Sequence, residues 1–484
     1  MSSPELWLGA LAGLPALVAA ASLFRVEPDR LRRLAVAAAG AMLLTALLPS
    51  FAAPLRSFAW HANAGGALLR MNTLASALLP FAAALWLLTV AVTPHAALDR
   101  GGQRRAALAT LTTLASFLTE SALALLVLQA AAVWIFLAAL RDPAHRYQRR
   151  IVAGYLGAST ALLGAGAALL LWGGSHGGAV EAAALGLMAI AALLRKGILP
   201  FHAWMPEVFD HGRLGPAILF SAPQVGAYIT VVLIVPRASP ELLRGIALLA
   251  LATAVYGAAL ALVQTSARRA CGYLFMSQSA LVMAGLDCTN ATALAGGLLV
   301  WLSAGLAFAG FARAVLVLEA RRGRLDLTRY HGGYERTPVL AVCFLVLGLA
   351  CTGFPGTLGY AGEELLLHGA VDAFPVMGYA IVAASALTGV AVLRMYFSLF
   401  CGRPDTRAHP ALHFELKPRE VLTFAALAAT LLGLGVAPGR LAASRLRASV
   451  QIIQRRHLMG ADPSAEGHAP GAGTPPAPGQ DPRP

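Results

Sequence analysis

The chain reads as an all-α, polytopic membrane protein of about fourteen transmembrane helices, with an inverted five-helix repeat and broken helices at spans seven and twelve. Three observations predict this. Hydrophobic residues make up 58% of the 484 residues and charged ones only 12%, against roughly 25% charged in soluble chains. Stretches of about 20 residues free of charge recur from the N-terminus to about Pro438, which leaves no room for a soluble catalytic domain. The formal net charge of +14 comes from arginines clustered in short connections, where positive charge sets orientation in a bilayer rather than gripping nucleic acid.

Apolar runs bounded by Arg, Pro or Gly place the first eight spans near 6–24, 34–53, 73–97, 104–119, 121–140, 151–173, 179–204 and 214–235. The remaining six fall near 241–263, 269–287, 292–317, 339–370, 376–401 and 420–438. The run 104–140 is divided at Thr119 to Ser121, because one helix of that length would be roughly 55 Å long against a hydrocarbon core of about 30 Å. Arg25, Arg30, Arg32 and Arg33 are assigned to the first connection, Arg100, Arg104 and Arg105 to the third, and Arg141, Arg146, Arg149 and Arg150 to the fifth. Arg321, Arg322, Arg324, Arg329 and Arg336 fall in the eleventh, and Arg403, Arg407, Lys417 and Arg419 in the thirteenth. The even-numbered fourth, sixth, tenth and twelfth carry almost none, so odd connections face the cytoplasm and both termini face outward.

After the last span, Leu441, Leu446, Val450 and Ile453 alternate with Arg440, Arg445, Arg447, Arg455 and Arg456 as in a short interfacial helix. Residues 460–484 are mostly Pro, Gly and Ala with no apolar face, a composition expected to be disordered. Residues 1–24 open with an acidic rather than a basic segment, so the first span is expected to stay in the product. The five cysteines lack CxxC spacing and indicate neither metal cluster nor disulfide framework. The organisation expected is N-terminal helices at 1–100, a core of two inverted repeats at 101–402, the last span and basic segment at 403–459, and the tail.

Of 37 basic residues only Lys196 and Lys417 are lysine. A buried lysine can release its proton at accessible pH whereas arginine stays charged, so Lys196, near the end of an apolar helix, is a candidate titratable cation. The competing reading is a lysine that snorkels to the headgroups beside Arg195. Gly197 and Pro200 interrupt the helix next to it and free backbone groups that only protein or water can satisfy inside a bilayer. A similar break, Gly353-Phe354-Pro355-Gly356, precedes Glu363 and Glu364. Breaks at spans seven and twelve are what an inverted repeat of spans 4–8 and 9–13 would give.

The run LLRKGILPFHAWMPEVF at 193–209 resembles the lysine-containing broken helix of the antiporter-like membrane subunits of respiratory NADH:quinone oxidoreductase, a family shared with Mrp antiporters and membrane-bound hydrogenases. RTPVLAVCFLVLGLACTGFPGTLGYAGEELLL at 336–367, LRMYFSLFCG at 393–402, LKPREVLTFAALAATLLGLGVAP at 416–438 and RRACGYLFMSQSALVMAGL at 268–286 resemble later segments of the same family, subunit M in particular. The resemblance covers roughly residues 65–438 and implies a proton-translocating module. In such a module a glutamate on span five pairs with the span-seven lysine, a lysine on span eight relays, and a lysine or glutamate on span twelve completes an axis of ionisable groups. A Glu–Lys pair couples protonation to conformation because moving one charge changes the other's proton affinity.

The chain departs from that pattern. The span-five glutamate falls on Gln129, the span-eight lysine on Gln224 and the span-eleven histidine on Ala304. An amide hydrogen-bonds but takes no proton near neutral pH. Lys196, His202 and Glu207 remain in the first half, with Glu120 as substitute partner for Lys196, and Glu363, Glu364, His368 and Arg394 in the second. Each has a plainer reading: Glu120 as a solvated turn residue, His202 as a donor to freed carbonyls, Glu207 and Asp210 as loop caps or partners of Arg213, Glu364 on the far side of its helix, and Arg394 as a charge partner that cannot exchange its proton. Arg313 is expected at the interface.

The sequence carries no nucleotide loop, haem motif or iron–sulfur set, so no cofactor is expected and any redox reaction belongs to partners. The expected function is proton translocation, or cation/proton exchange, by an inner-membrane subunit of a complex I-like, hydrogenase-like or Mrp-like assembly. The partners expected are other membrane subunits, the bilayer, and protons or sodium. The rival is a scaffold or coupling subunit without a complete proton path, for example in an inorganic-carbon uptake complex. A free-standing transporter of an organic solute is disfavoured for want of a further polar cluster at midplane.

Overall fold

A computed structural model describes residues 3–24, 26–50, 58–61, 67–94, 98–173, 178–403 and 416–459. The expected tail at 460–484, together with Arg25 and Arg407, lies outside the described residues.

Apolar runs in hydrocarbon must satisfy their own backbone groups, and helices do this within one segment. The N-terminal part is α1 (Ser3–Ala21), α2 (Pro28–Leu47) and α3 (Ala75–Val92). Between α2 and α3 lies an antiparallel hairpin of β1 (Phe58–His61) and β2 (Ala67–Met71), a small addition that the hydrophobic pattern did not announce. The stretch expected as the first repeat holds α4 (Arg100–Leu118), α5 (Ala122–Ala139), α6 (Arg146–Gly173), α7 (Gly178–Lys196), α8 (Trp204–His211), α9 (Leu214–Ser221) and α10 (Val225–Ile229), which runs into a π-helical turn at Thr230–Ile234. The second such stretch holds α11 (Pro240–Val263), α12 (Ala267–Leu286), α13 (Ala291–Arg322), α14 (Pro338–Cys351), α15 (Leu358–Ala373) and α16 (Pro375–Phe400). Then follow α17 (Pro418–Val436) and α18 (Gly439–Leu458).

Nine spans among the described residues are long and apolar enough to cross a bilayer. The other five expected spans correspond to α1, α2, α4, α12 and the interrupted pair α14–α15. The division of 104–140 is real: the chain leaves α4 at Thr119, and the Ser121 hydroxyl accepts from the Ala124 N–H to start α5. Helix α13 is the axis of the bundle, its apolar window wholly buried against α3, α9, α12, α14, α15, α17 and α18.

Several arginines assigned to connections belong to helices. Arg30, Arg32 and Arg33 lie in α2, which starts early because Pro28 and Asp29 suit a first helical turn, and Arg104 and Arg105 lie in α4. Arg32 is buried and donates to the Ala91 and Thr93 carbonyls at 3.0 and 2.6 Å, satisfying the open end of α3. Arg313 is 1% exposed and donates to the Thr89 hydroxyl, so it sits inside the bundle rather than at the interface. Helix α18 forms where the amphipathic pattern put it, but not with a purely apolar buried face. Leu446 and Val450 are exposed, while buried Arg445 donates to the Thr73 and Leu74 carbonyls and buried Arg456 to those of Val235 and Ala238. The need of these loose carbonyls for donors outweighs the apolar pattern.

Candidate functional site

Helix α7 stops because Gly197 takes a left-handed conformation (φ 67°) that any side chain would resist. The Ile198 N–H then bonds the Leu193 carbonyl at 3.0 Å and the Gly197 N–H bonds that of Leu194 at 3.3 Å, the paired bonds of a Schellman end. Lys196 is therefore the last residue of the helix, 3% exposed, and its ammonium donates to Gln224 Oε1. Gln224 reaches it from a third interruption, unforeseen in the sequence, between α9 and α10. There Gln224 itself takes a left-handed backbone (φ 53°) and the Pro223 carbonyl accepts from Trp301 Nε1 at 3.0 Å. Gly226 gives the lysine stem its room: a Cβ there would lie 2.9 Å from Lys196 Cγ. A cavity of about 10 Å³, roughly one water's space, is bounded by Lys196, Gln224, Ser279, Met205 and Phe275.

The counter-charge to Lys196 is one that sequence reasoning missed. Asp287, at the C-terminal end of α12, is 2% exposed, and neither carboxylate oxygen has a hydrogen-bond partner. No hydrogen bond or ion pair joins it to Lys196 among the described residues; the two interact as opposite charges across the buried interior. In the sequence Asp287 is only the last residue of the tenth expected span, 269–287, and the fold alone reveals its burial.

The second half repeats the device. Gly353 is left-handed (φ 65°), and the Phe354 N–H bonds the Leu349 carbonyl at 3.2 Å to end α14. A Cβ on Gly353 would run into Glu363 Oε2, so the carboxylate of α15 lies against the break. Ser385 of α16 donates to Glu363 Oε2 at 2.8 Å.

Polar side chains run between the two centres. Ser279 of α12 lies 3.5 Å from Gln224 Oε1, and Ser277, two residues earlier, is 3.4 Å from Thr388 of α16. Thr388 stands three residues from Ser385, on the same helix face, and Ser385 holds Glu363. Buried Gln278 lies between the two serines with both ends of its amide unpartnered. The line has two gaps: residues two apart on α12, Ser277 and Ser279, point in different directions, and an i,i+3 spacing exceeds a hydrogen bond.

The other candidates are dispersed. Glu120 engages Arg455 at 2.9 Å, Asn72 at 3.0 Å and Arg70 at 3.4 Å rather than Lys196, because the turn before α5 faces α18 and β2. Glu207 accepts from Gln148 at 3.0 Å and lies 3.2 Å from His211, while Asp210 holds Arg324 at 2.6 Å. Arg213 pairs with Asp142 at 3.7 Å instead of either. The His202 ring is edge-on to Tyr256, with Nδ1 buried and unpartnered. Gln129 donates to Ser159 at 3.0 Å, and Ser159 donates on to the Ala191 carbonyl of α7. Ala304 is buried. Glu364 and His368 are exposed. Among the described residues Arg394 meets no carboxylate; it donates to the Leu262 and Gln264 carbonyls and so closes the C-terminal end of α11.

Residues 175–388 match the family described as NADH:quinone oxidoreductase/Mrp antiporter, transmembrane. Among curated relatives, NADH-quinone oxidoreductase subunit 14 of Thermus thermophilus is 31% identical over 273 residues, 56% of this chain and 60% of that one. Subunit M of Mycobacterium tuberculosis is 29% identical over 259 residues, 52% of this chain and 46% of that one. The chain thus spans about half to three-fifths of the length of these relatives, and the likeness extends to subunits named M, N and 14 rather than to M alone. Among solved structures, a chain of respiratory complex I from Thermus thermophilus superposes with a TM-score of 0.81 at 23% identity, over 93% of this chain and 99% of that one. A chain of the Mrp complex from Dietzia gives 0.81 at 18% identity, over 93% and 97%.

Proposed function

We propose that the chain, whose residues 175–388 match the NADH:quinone oxidoreductase/Mrp antiporter transmembrane family, belongs to that family and translocates protons, or exchanges them for a cation, as a membrane subunit of a larger assembly. The observation that carries this reading is Lys196: a buried amine at a helix break, bonded to an uncharged amide and balanced by a carboxylate that has no other partner.

That arrangement suits a mobile proton. An ammonium clamped by a bidentate carboxylate would hold its proton, whereas Gln224 accepts one hydrogen bond and supplies no charge. Asp287 supplies the charge from further off, so transfer of a proton from Lys196 alters the energy of the Asp287 carboxylate, and the reverse. Asp287 thereby takes the place of the span-five glutamate that this chain lacks at Gln129. Gln224, Ser279, Ser277, Thr388 and Ser385 form the polar lining along which water carries the proton to Glu363, the distal station. His202, beside the break, is a further exchanger on the Lys196 side. Glu120, Glu207 and Glu364 serve structure.

The assembly is of the complex I-like, hydrogenase-like or Mrp-like kind, in a bacterial inner membrane with both termini outside. The second reading, a coupling subunit without transport, draws on Gln129, Gln224, Gln278 and Ala304, none of which titrates. Proton flux into proteoliposomes containing the purified assembly separates the two: flux that Lys196→Ala abolishes supports transport, and no flux from an otherwise active assembly supports the coupling role.

A further inference from the structure

We propose that a cavity between α4, α5, α7 and α9 binds the phosphodiester of an anionic phospholipid, with Arg195 as its counter-ion. The cavity has about 50 Å³ of free space and is not sealed; that is room for roughly three to five waters, or one phosphate group. Three guanidinium groups line it, those of Arg105, Arg195 and Arg213. Two have acids already, Arg105 with Asp99 at 3.5 Å and Arg213 with Asp142 at 3.7 Å. Arg195 has none: it is 6% exposed, rests 4.6 Å above the Phe220 ring, and makes no hydrogen bond or ion pair among the described residues. One buried positive charge therefore faces the cavity uncompensated, and a monoanion balances it. Among the described residues no acid lines the cavity, and apolar side chains such as Ala109, Ile135 and Leu219 form much of its wall. That combination fits a headgroup phosphate that enters with its hydrocarbon chains alongside better than a hydrated free ion, which would have to shed its water against an apolar surface. The inference does not rest on proton transport.

Native mass spectrometry of the full-length chain in detergent, titrated with dioleoyl-phosphatidylglycerol, dioleoyl-phosphatidylcholine or inorganic phosphate, tests it. The wild type should hold one phosphatidylglycerol, and Arg195→Met should bind it roughly ten-fold or more weakly. Because that substitution removes an unpaired buried charge, the variant should melt no lower than the wild type in lipid-free detergent. Ala109→Trp, which keeps the arginine and fills the cavity, should lose the lipid as well. Equal binding of the two lipids, or equal binding of phosphatidylglycerol by the wild type and both variants, would overturn the proposal. Displacement of the lipid by equimolar inorganic phosphate would overturn the lipid assignment and leave a site for free anions.

Discussion

Gln224 holds Lys196 from a left-handed backbone position that non-glycine residues seldom occupy. Such a conformation costs roughly 1–3 kcal/mol and persists where the surroundings over-determine it; here the Trp301 indole on the preceding carbonyl and the Gly226–Lys196 contact do so. The residue that the resemblance aligns with a relay lysine is thus the direct acceptor of Lys196.

Lys196→Arg keeps the cation and its donors but removes its ability to release a proton. Flux in proteoliposomes should fall to the level of Lys196→Ala. Substantial flux through the arginine variant would mean that the position supplies only a fixed charge.

Asp287→Asn leaves Lys196 without its counter-charge. Breaking a buried pair by removing one member costs about 3–5 kcal/mol, less if the survivor becomes neutral, whereas replacing both with apolar groups is often neutral. Chemical denaturation of the assembly should therefore show Lys196→Met/Asp287→Leu more stable than the sum of the single substitutions, with a coupling of roughly 1–3 kcal/mol. Strict additivity would show that the two charges do not interact.

Most of the architecture was legible because its signals are local. Charge-free runs located the spans, Thr119 to Ser121 located the α4–α5 turn, and Gly197 and Gly353 located the two breaks. Lys196 stood out because the chain almost always uses arginine. What escaped depends on contacts distant in sequence. Asp287 is functional in this reading only because α12 ends inside the bundle, where its charge reaches Lys196, and Pro223-Gln224 breaks its span without a glycine. Glu120 misled because its partner Arg455 lies 335 residues away. Buried Arg32, Arg445 and Arg456 followed neither the apolar pattern nor the topology rule, since carbonyls flanking neighbouring helices claimed them.

Gln224→Glu would put a carboxylate in direct contact with the ammonium. A charge-assisted bond is about twice as strong as a neutral one, so the proton should be held on Lys196 and flux should drop several-fold. The assembly should stay folded, because the new carboxylate is paired from the outset. A rise in flux would instead point to the coupling reading, with Gln224 as the lesion that stops transport and the glutamate as its repair.

Glu363→Gln and Ser385→Ala test the distal station by their order. Glu363 is the titratable member, and Ser385 only donates to it at 2.8 Å; loss of one such bond to a charged group costs roughly 1.5–3 kcal/mol. Flux should therefore vanish in Glu363→Gln and persist at a reduced level in Ser385→Ala, with a changed pH profile because the carboxylate has lost a donor to its charged form. If Glu363→Gln carried wild-type flux while Lys196→Ala did not, the proton would leave from the Lys196–Asp287 centre without crossing to α15. The polar side chains from Ser279 to Ser385 would then be packing groups alone.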